Sequence, residues 1–106
     1  MNSNNIIETG KTSMVRIEGE IDIYSIEKFR DTIEKEIMTK ATQIILDCSE
    51  LSYMDSTGMS VLIELRNKSK EMGQRIIMMN PRPNIKKLLS LTGVDKIIEI
   101  VDNPAN

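Results

Sequence analysis

The chain has no histidine, no tryptophan and one cysteine, and only 3% of its 106 residues are aromatic. Without histidine, and with Cys48 alone, the usual zinc sites, histidine-dependent serine or cysteine triads and haem ligation are excluded. A lone cysteine forms no intramolecular disulfide, and Cys48 ends an apolar run, which predicts a buried structural thiol. There is no G-x-x-x-x-G-K-[ST] loop and no G-x-G-x-x-G after a strand, so nucleotide binding by a familiar motif is unsupported. No apolar stretch approaches the roughly 20 residues of a membrane span. The N-terminus, Met1 to Asn5, lacks the basic and apolar regions of a targeting signal. A basic excess is missing too: 14 Lys and Arg stand against 16 Asp and Glu, a formal net charge of −2, which argues against a nucleic-acid partner. These absences predict a cytoplasmic protein with no cofactor, no metal, no nucleic acid and no membrane contact, and they remove most small-enzyme chemistries.

What is present is globular. With 40% hydrophobic and 28% charged residues, the chain is expected to form one domain over residues 1–106, with residues 1–4 and 102–106 frayed. The shortage of aromatics means a core of Ile, Leu, Val and Met. Met14, Met54, Met72, Met78 and Met79 lie within or beside apolar segments, so they are expected to fill that core.

Periodicity then orders the elements. A short strand signal at Asn5 to Glu8, a turn at Gly10-Lys11 and a strand from Ser13 to Glu18 predict an N-terminal hairpin. Gly19-Glu20-Ile21-Asp22 connects to a helix whose Ile26, Phe29, Ile33 and Ile37 step by three or four, capped by Ser25 or Asp22. Gln43 to Cys48 reads as a buried strand, and a helix follows from about Thr57 to Met72, with Gly73 as its stop. Arg75 to Met79 is another strand. Pro81 and Pro83 precede a helix from Asn84 to Thr92 that turns Ile85, Leu88 and Leu89 inward, and Lys96 to Val101 closes the sheet. Such alternation of strand and helix is the pattern of an α/β fold with right-handed crossovers.

The chemistry concentrates in Met54-Asp55-Ser56-Thr57-Gly58, where the buried strand gives way to the amphipathic helix. A hydroxyl at that place can cap the helix, carry a phosphate, or do both, because the first turn presents unpaired N–H groups and the positive end of the helix dipole. Judged from local sequence, a cap is the commoner use of a serine there. Asp22, Asp47 and Asp55 fall near strand ends, where a magnesium cluster is conceivable, but turn and cap carboxylates explain them more simply.

Three segments taken together resemble the bacterial anti-sigma-factor antagonists of the STAS domain family: Gly19-Glu20-Ile21-Asp22, Leu51-Ser52-Tyr53-Met54-Asp55-Ser56-Thr57-Gly58, and Leu91-Thr92-Gly93-Val94. The resemblance spans nearly the whole chain. It implies a STAS-like single domain with a mixed sheet of four or five strands, an N-terminal hairpin, and helices mainly on one face. It also implies a function without catalysis by this chain. The unmodified antagonist binds an anti-sigma factor that is also its serine kinase, an ATP-binding protein of histidine-kinase-like fold, and so frees a sigma factor. Phosphorylation of the serine after the aspartate, here Ser56, ends that binding, and a serine phosphatase restores it. Asp22, Asp55, Thr57, Gly58 and Ser60 are the partner-binding residues that follow from this resemblance. One departure stands out: relatives commonly carry Gly-Leu-Gly where Gly58-Met59-Ser60 stands here. Ser60 is then either a tolerated small residue or a modifier of partner choice. The alternative function is a STAS module serving as scaffold or small-ligand site, with Ser56 only a helix cap.

Overall fold

A computed structural model describes residues 10–102. Four strands alternate with three helices: β1 (Thr12–Ile21), α1 (Ile26–Met38), β2 (Gln43–Met54), α2 (Ser56–Glu71), β3 (Arg75–Met79), α3 (Pro83–Thr92) and β4 (Glu99–Val101), with a 3-10 turn, Val94–Lys96, before the last strand. The sheet order is β1-β2-β3-β4, and each neighbouring pair is parallel. The expected Asn5 to Glu8 strand and its hairpin lie outside the described residues, as do the chain ends. The mixed character of the sheet depended on that strand, and every pairing among the described residues is parallel.

One apolar core joins the sheet to all three helices. It takes Ile17 and Ile21 from β1, Ile44, Leu46, Cys48, Leu51 and Met54 from β2, and Ile76 and Met78 from β3. Against them pack Phe29 and Ile33 of α1, Leu62 and Leu65 of α2, and Ile85 and Leu89 of α3. The helices therefore cover one face of the sheet. Leu62 and Leu65 are fully buried, and burying a leucine contributes about 1.5–3 kcal/mol. Ion pairs between α1 and α2, Lys68 with Glu34 and Arg30 with Glu64, lie at the surface and are screened by solvent. Apolar packing rather than charge holds α2 in place.

The spacing of core positions on β2 explains its length. Ile44, Leu46 and Cys48 alternate, but Leu51 and Met54 each come three residues after the previous one. Two register shifts absorb the extra residues: Arg16 pairs with Asp47 but Glu18 with Glu50, and Gly19 with Leu51 but Glu20 with Tyr53. Bulges of this kind keep the apolar side chains on the core face while the strand bends. Gly19 has φ +77°, a left-handed value that suits glycine, at the second irregularity. The strand consequently runs through to Met54, six residues past Cys48, the end that alternation alone marks.

Several other expectations need correction. β1 continues through Ile21, so Gly19 to Ile21 is strand rather than connection. The segment from Lys96 to Ile98 is not strand: Gly93 ends α3 in the left-handed region, and the Ile97 and Ile98 N–H groups bond back to the Val94 carbonyl, both at 3.0 Å. That tight turn brings the chain round to an edge strand of three residues. Met54 and Met78 fill the core as expected, whereas Met14 and Met72 are exposed. Met14 pairs with Ile45 on the sheet face that no helix covers, and Met72 is the residue that ends α2.

Candidate functional site

Two strand-to-helix junctions meet at the C-terminal end of the sheet. Ile21 and Met54 are partners across the β1–β2 ladder, and the Asp55 N–H donates to the Ile21 carbonyl at 3.2 Å. Asp22 and Asp55, the residues that follow the two strands, therefore stand side by side at the C-terminal end of the sheet. Glu20 and Tyr53 oppose one another one step earlier.

At the β2–α2 junction a single residue, Asp55, separates strand from helix. Its backbone is extended, and its carboxylate accepts from the Gly58 N–H at 3.0 Å, while its carbonyl accepts from the Met59 N–H at 3.0 Å. Asp55 is thus the cap. Ser56 is the first helical residue instead, a correction to the expectation that its hydroxyl caps, because β2 runs to Met54 and leaves one residue for the turn. Ser56 and Thr57 are both exposed, and neither their hydroxyls nor their N–H groups have a hydrogen-bond partner among the described residues. The first turn of α2 carries no acidic side chain. Two free N–H donors, the helix dipole and two free hydroxyls thus share one exposed turn.

Gly58 belongs to the packing below this turn. A Cβ placed on it would lie 2.7 Å from Met54 Cγ and 2.8 Å from Ile21 Cγ2. Any larger residue would push α2 off the strand ends, so the glycine sets the position of Ser56 and Thr57. Ser60 is exposed one turn further along the helix.

The β1–α1 junction uses its aspartate differently. Asp22 Oδ1 accepts from the Tyr24 N–H at 2.9 Å and the Ser25 N–H at 3.1 Å, and the Asp22 carbonyl accepts from the Ser25 N–H at 3.1 Å. Ser25 occupies the cap position of α1, but its hydroxyl donates to the Glu20 carbonyl at 2.6 Å and accepts from the Asp22 N–H at 3.0 Å. Neither expected cap bonds the helix through its side chain; both fasten the turn.

Asp47 lies well before these ends. Partial burial works to raise its pKa, but the Ser49 N–H and hydroxyl, with Arg16 at 3.5 Å, hold it below the ordinary carboxylate value. Its carboxylate serves the first bulge of β2. Among the described residues no group of three His, Cys, Asp or Glu is arranged to hold a metal ion. Burial, then the neighbouring Asp47 charge, pushes the Cys48 thiol up to about 12, so it is a buried and unreactive thiol.

Beside Ser56 runs an open groove of about 460 Å³ between the start of α2 and α3, lined by Met54, Met59, Ile85 and Leu88 with Tyr53 and Asn84 at its rim. The Asn84 side-chain amide donates to the Ser52 carbonyl at 3.0 Å and ties α3 to the end of β2. Sequence reasoning missed this groove and the exposed Ile23, Tyr24 and Tyr53. Of the groove's lining, Ile85 and Leu88 were placed inward by helical spacing and Met54 was expected in the core. The available signal for Tyr53 was its place between Leu51 and Met54 in a three-residue core step, which turns it outward.

A sheet with helices packed on one face, one of them capped by an aspartate directly after its strand, fits the STAS-like fold expected from the sequence. The STAS domain family profile matches residues 4–106, and the chain belongs to that family. The anti-sigma F factor antagonist of Lysinibacillus sphaericus is 30% identical over 87 residues, covering 81% of this chain and 74% of the relative. The anti-sigma factor antagonist SpoIIAA in its unphosphorylated form superposes with a TM-score of 0.71 at 27% identity, covering 85% of this chain and 79% of that one. The Bacillus cell fate determinant SpoIIAA in its phosphorylated form gives 0.64 at 27% identity, covering 85% and 82%. Among the described residues no helix is long and apolar enough to cross a membrane.

Proposed function

We propose that this chain is an anti-sigma factor antagonist that acts in the cytoplasm, without cofactor or catalysis of its own, as a phosphorylation-controlled binding switch. In its unmodified form it binds a cognate anti-sigma factor that is also a serine kinase, and a sigma factor is released. The kinase phosphorylates Ser56 and the complex is lost; a serine phosphatase restores the hydroxyl. Asp22, Asp55, Thr57 and Ser60 contribute to the docking surface, and Gly58 contributes through the placement of the helix start.

The observation that carries this reading is that Ser56 is exposed at the first position of α2 while Asp55 supplies the cap. The hydroxyl is free for modification because the helix does not use it. A phosphate there adds about −1.5 to −2 charge at neutral pH. The free N–H groups and the dipole of α2 tolerate that charge, and the apolar core beneath is untouched, so the fold persists. Docking does not tolerate it. A dianion beside Asp55 and Asp22 must be desolvated at the interface and adds like-charge repulsion, and about 2.7 kcal/mol of such cost weakens affinity about 100-fold. The similarity to anti-sigma factor antagonists, one of them known in unphosphorylated and phosphorylated forms, supports the same reading.

The test is a titration of each anti-sigma factor serine kinase of the source organism with wild type, Ser56→Ala and Ser56→Asp. One kinase should bind wild type and Ser56→Ala alike and lose Ser56→Asp. Equal binding of Ser56→Asp would refute the switch.

A further inference from the structure

The chain holds two tyrosines and one phenylalanine. Phe29 is in the core, as a scarce large aromatic would be expected to be. Both tyrosines are instead displayed at the C-terminal end of the sheet: Tyr24 is 91% exposed and Tyr53 48%, and Ile23, beside Tyr24, is 63% exposed. Other exposed large apolar residues, such as Met38, Met72 and Leu91, sit at or near helix ends elsewhere.

The backbone under Tyr24 is fixed. Asp22 accepts from the N–H groups of residues 24 and 25, and the Ser25 hydroxyl bridges the Glu20 carbonyl and the Asp22 N–H. Apolar side chains held out into water on a rigid turn lose little freedom when a partner covers them, which is how interface anchors gain affinity. A tyrosine has few rotatable bonds and is among the commonest interface hot spots.

We propose that Ile23 and Tyr24, with Tyr53, are the apolar anchor by which this chain docks on its kinase partner, and that Asp22 is a positioning residue that holds the turn. This rests on the function proposed above. The partner surface is an apolar recess rimmed by Lys or Arg, because the anchor is set among acids. Glu18 and Glu20 are exposed without an ion pair among the described residues, and Asp55 lies alongside. The nearby Arg16 and Arg82 are already matched, by Asp47 at 3.5 Å and Glu50 at 3.7 Å, leaving Lys28 as a nearby countercharge. A second copy of the chain would present the same acids to these acids, so the charge disfavours self-association through this face. The anchor and Ser56 are adjacent through the Ile21–Met54 rung, so a partner seated on Tyr24 also covers the phosphate position. The anchor supplies affinity and the hydroxyl supplies control.

The experiment titrates the same purified kinases with Tyr24→Ala, Ile23→Ala/Tyr24→Ala, Asp22→Ala and Asp22→Ala/Ile23→Ala/Tyr24→Ala in the full chain. Tyr24→Ala should weaken binding by about 10- to 30-fold with the melting temperature unchanged, and the double anchor variant by more. Tyr24→Phe should retain most of the affinity. Asp22→Ala should weaken binding in the parent chain and cost much less once Ile23 and Tyr24 are both gone, the difference being its share in positioning the anchor, whereas equal costs in the two backgrounds would overturn the positioning role. Anchor variants that bind like wild type, while Ser56→Asp still abolishes binding, would overturn the anchor and leave the switch standing. If no kinase binds wild type, the proposed function fails and the anchor with it. A wild-type dimer that dissociates in Tyr24→Ala would assign the face to self-association and also overturn the proposal.

Discussion

The two strand-to-helix junctions at the C-terminal end of the sheet begin alike and end differently. Each places an aspartate directly after a paired core residue, Asp22 after Ile21 and Asp55 after Met54. Between β2 and α2 the connection is one residue long, so Asp55 must be the cap and Ser56 is left as the first, exposed residue of the helix. Between β1 and α1 the connection is four residues, so Asp22 folds a turn and Ser25 turns its hydroxyl back to the strand. Loop length thus decides what the same residue type does. The short junction exposes an unbonded hydroxyl, and the longer one exposes an apolar pair on a turn fastened by hydrogen bonds.

Substitutions at the two junctions sharpen this contrast, and the largest effect belongs to binding. Ser56→Asp should weaken capture of the kinase about 100-fold, equivalent to about 2.7 kcal/mol, while its thermal midpoint stays near wild type. Gly58→Val should destabilise the fold by about 1–3 kcal/mol in denaturant unfolding, because its side chain meets Ile21 and Met54. A neutral result there would mean that the helix start can shift, and the short junction would no longer define the position of Ser56. Asp55→Ala should cost about 1 kcal/mol as a lost cap. Ser56→Ala should stay within about 0.5 kcal/mol of wild type, as a surface substitution with no bond to lose. Reversal of those last two values in paired chemical denaturations would return Ser56 to the cap role and break the comparison.

Much of this arrangement was legible in the sequence. The steps Ile26, Phe29, Ile33, Ile37 located α1, and Gly73 and Gly93 marked helix ends, because period and left-handed glycine are local properties. The prominence of Asp55-Ser56-Thr57-Gly58 was local too. What escaped was set by pairing between strands. The two bulges that carry β2 on to Met54 depend on register with β1, and without them the strand ends at Cys48 and the cap falls on the wrong residue. Met14 and Met72 looked like core because each lies within or beside a segment with apolar periodicity, but the face each occupies is settled by the sheet and by where α2 stops. Tyr24 was hidden among turn residues. A turn fastened by Asp22 and Ser25 has no periodicity to read, and an exposed aromatic within it is visible only once the hydrogen bonds are.

The central claim is that the exposed hydroxyl at the start of α2 is the modified group. Intact and peptide mass spectrometry after incubation with ATP and each purified kinase tests it most directly. One phosphate, located on Ser56 and absent from Ser56→Ala, is the predicted result. An unmodified chain with a kinase that is active and bound to it, or a phosphate on Thr57 or Ser60 instead, would contradict it.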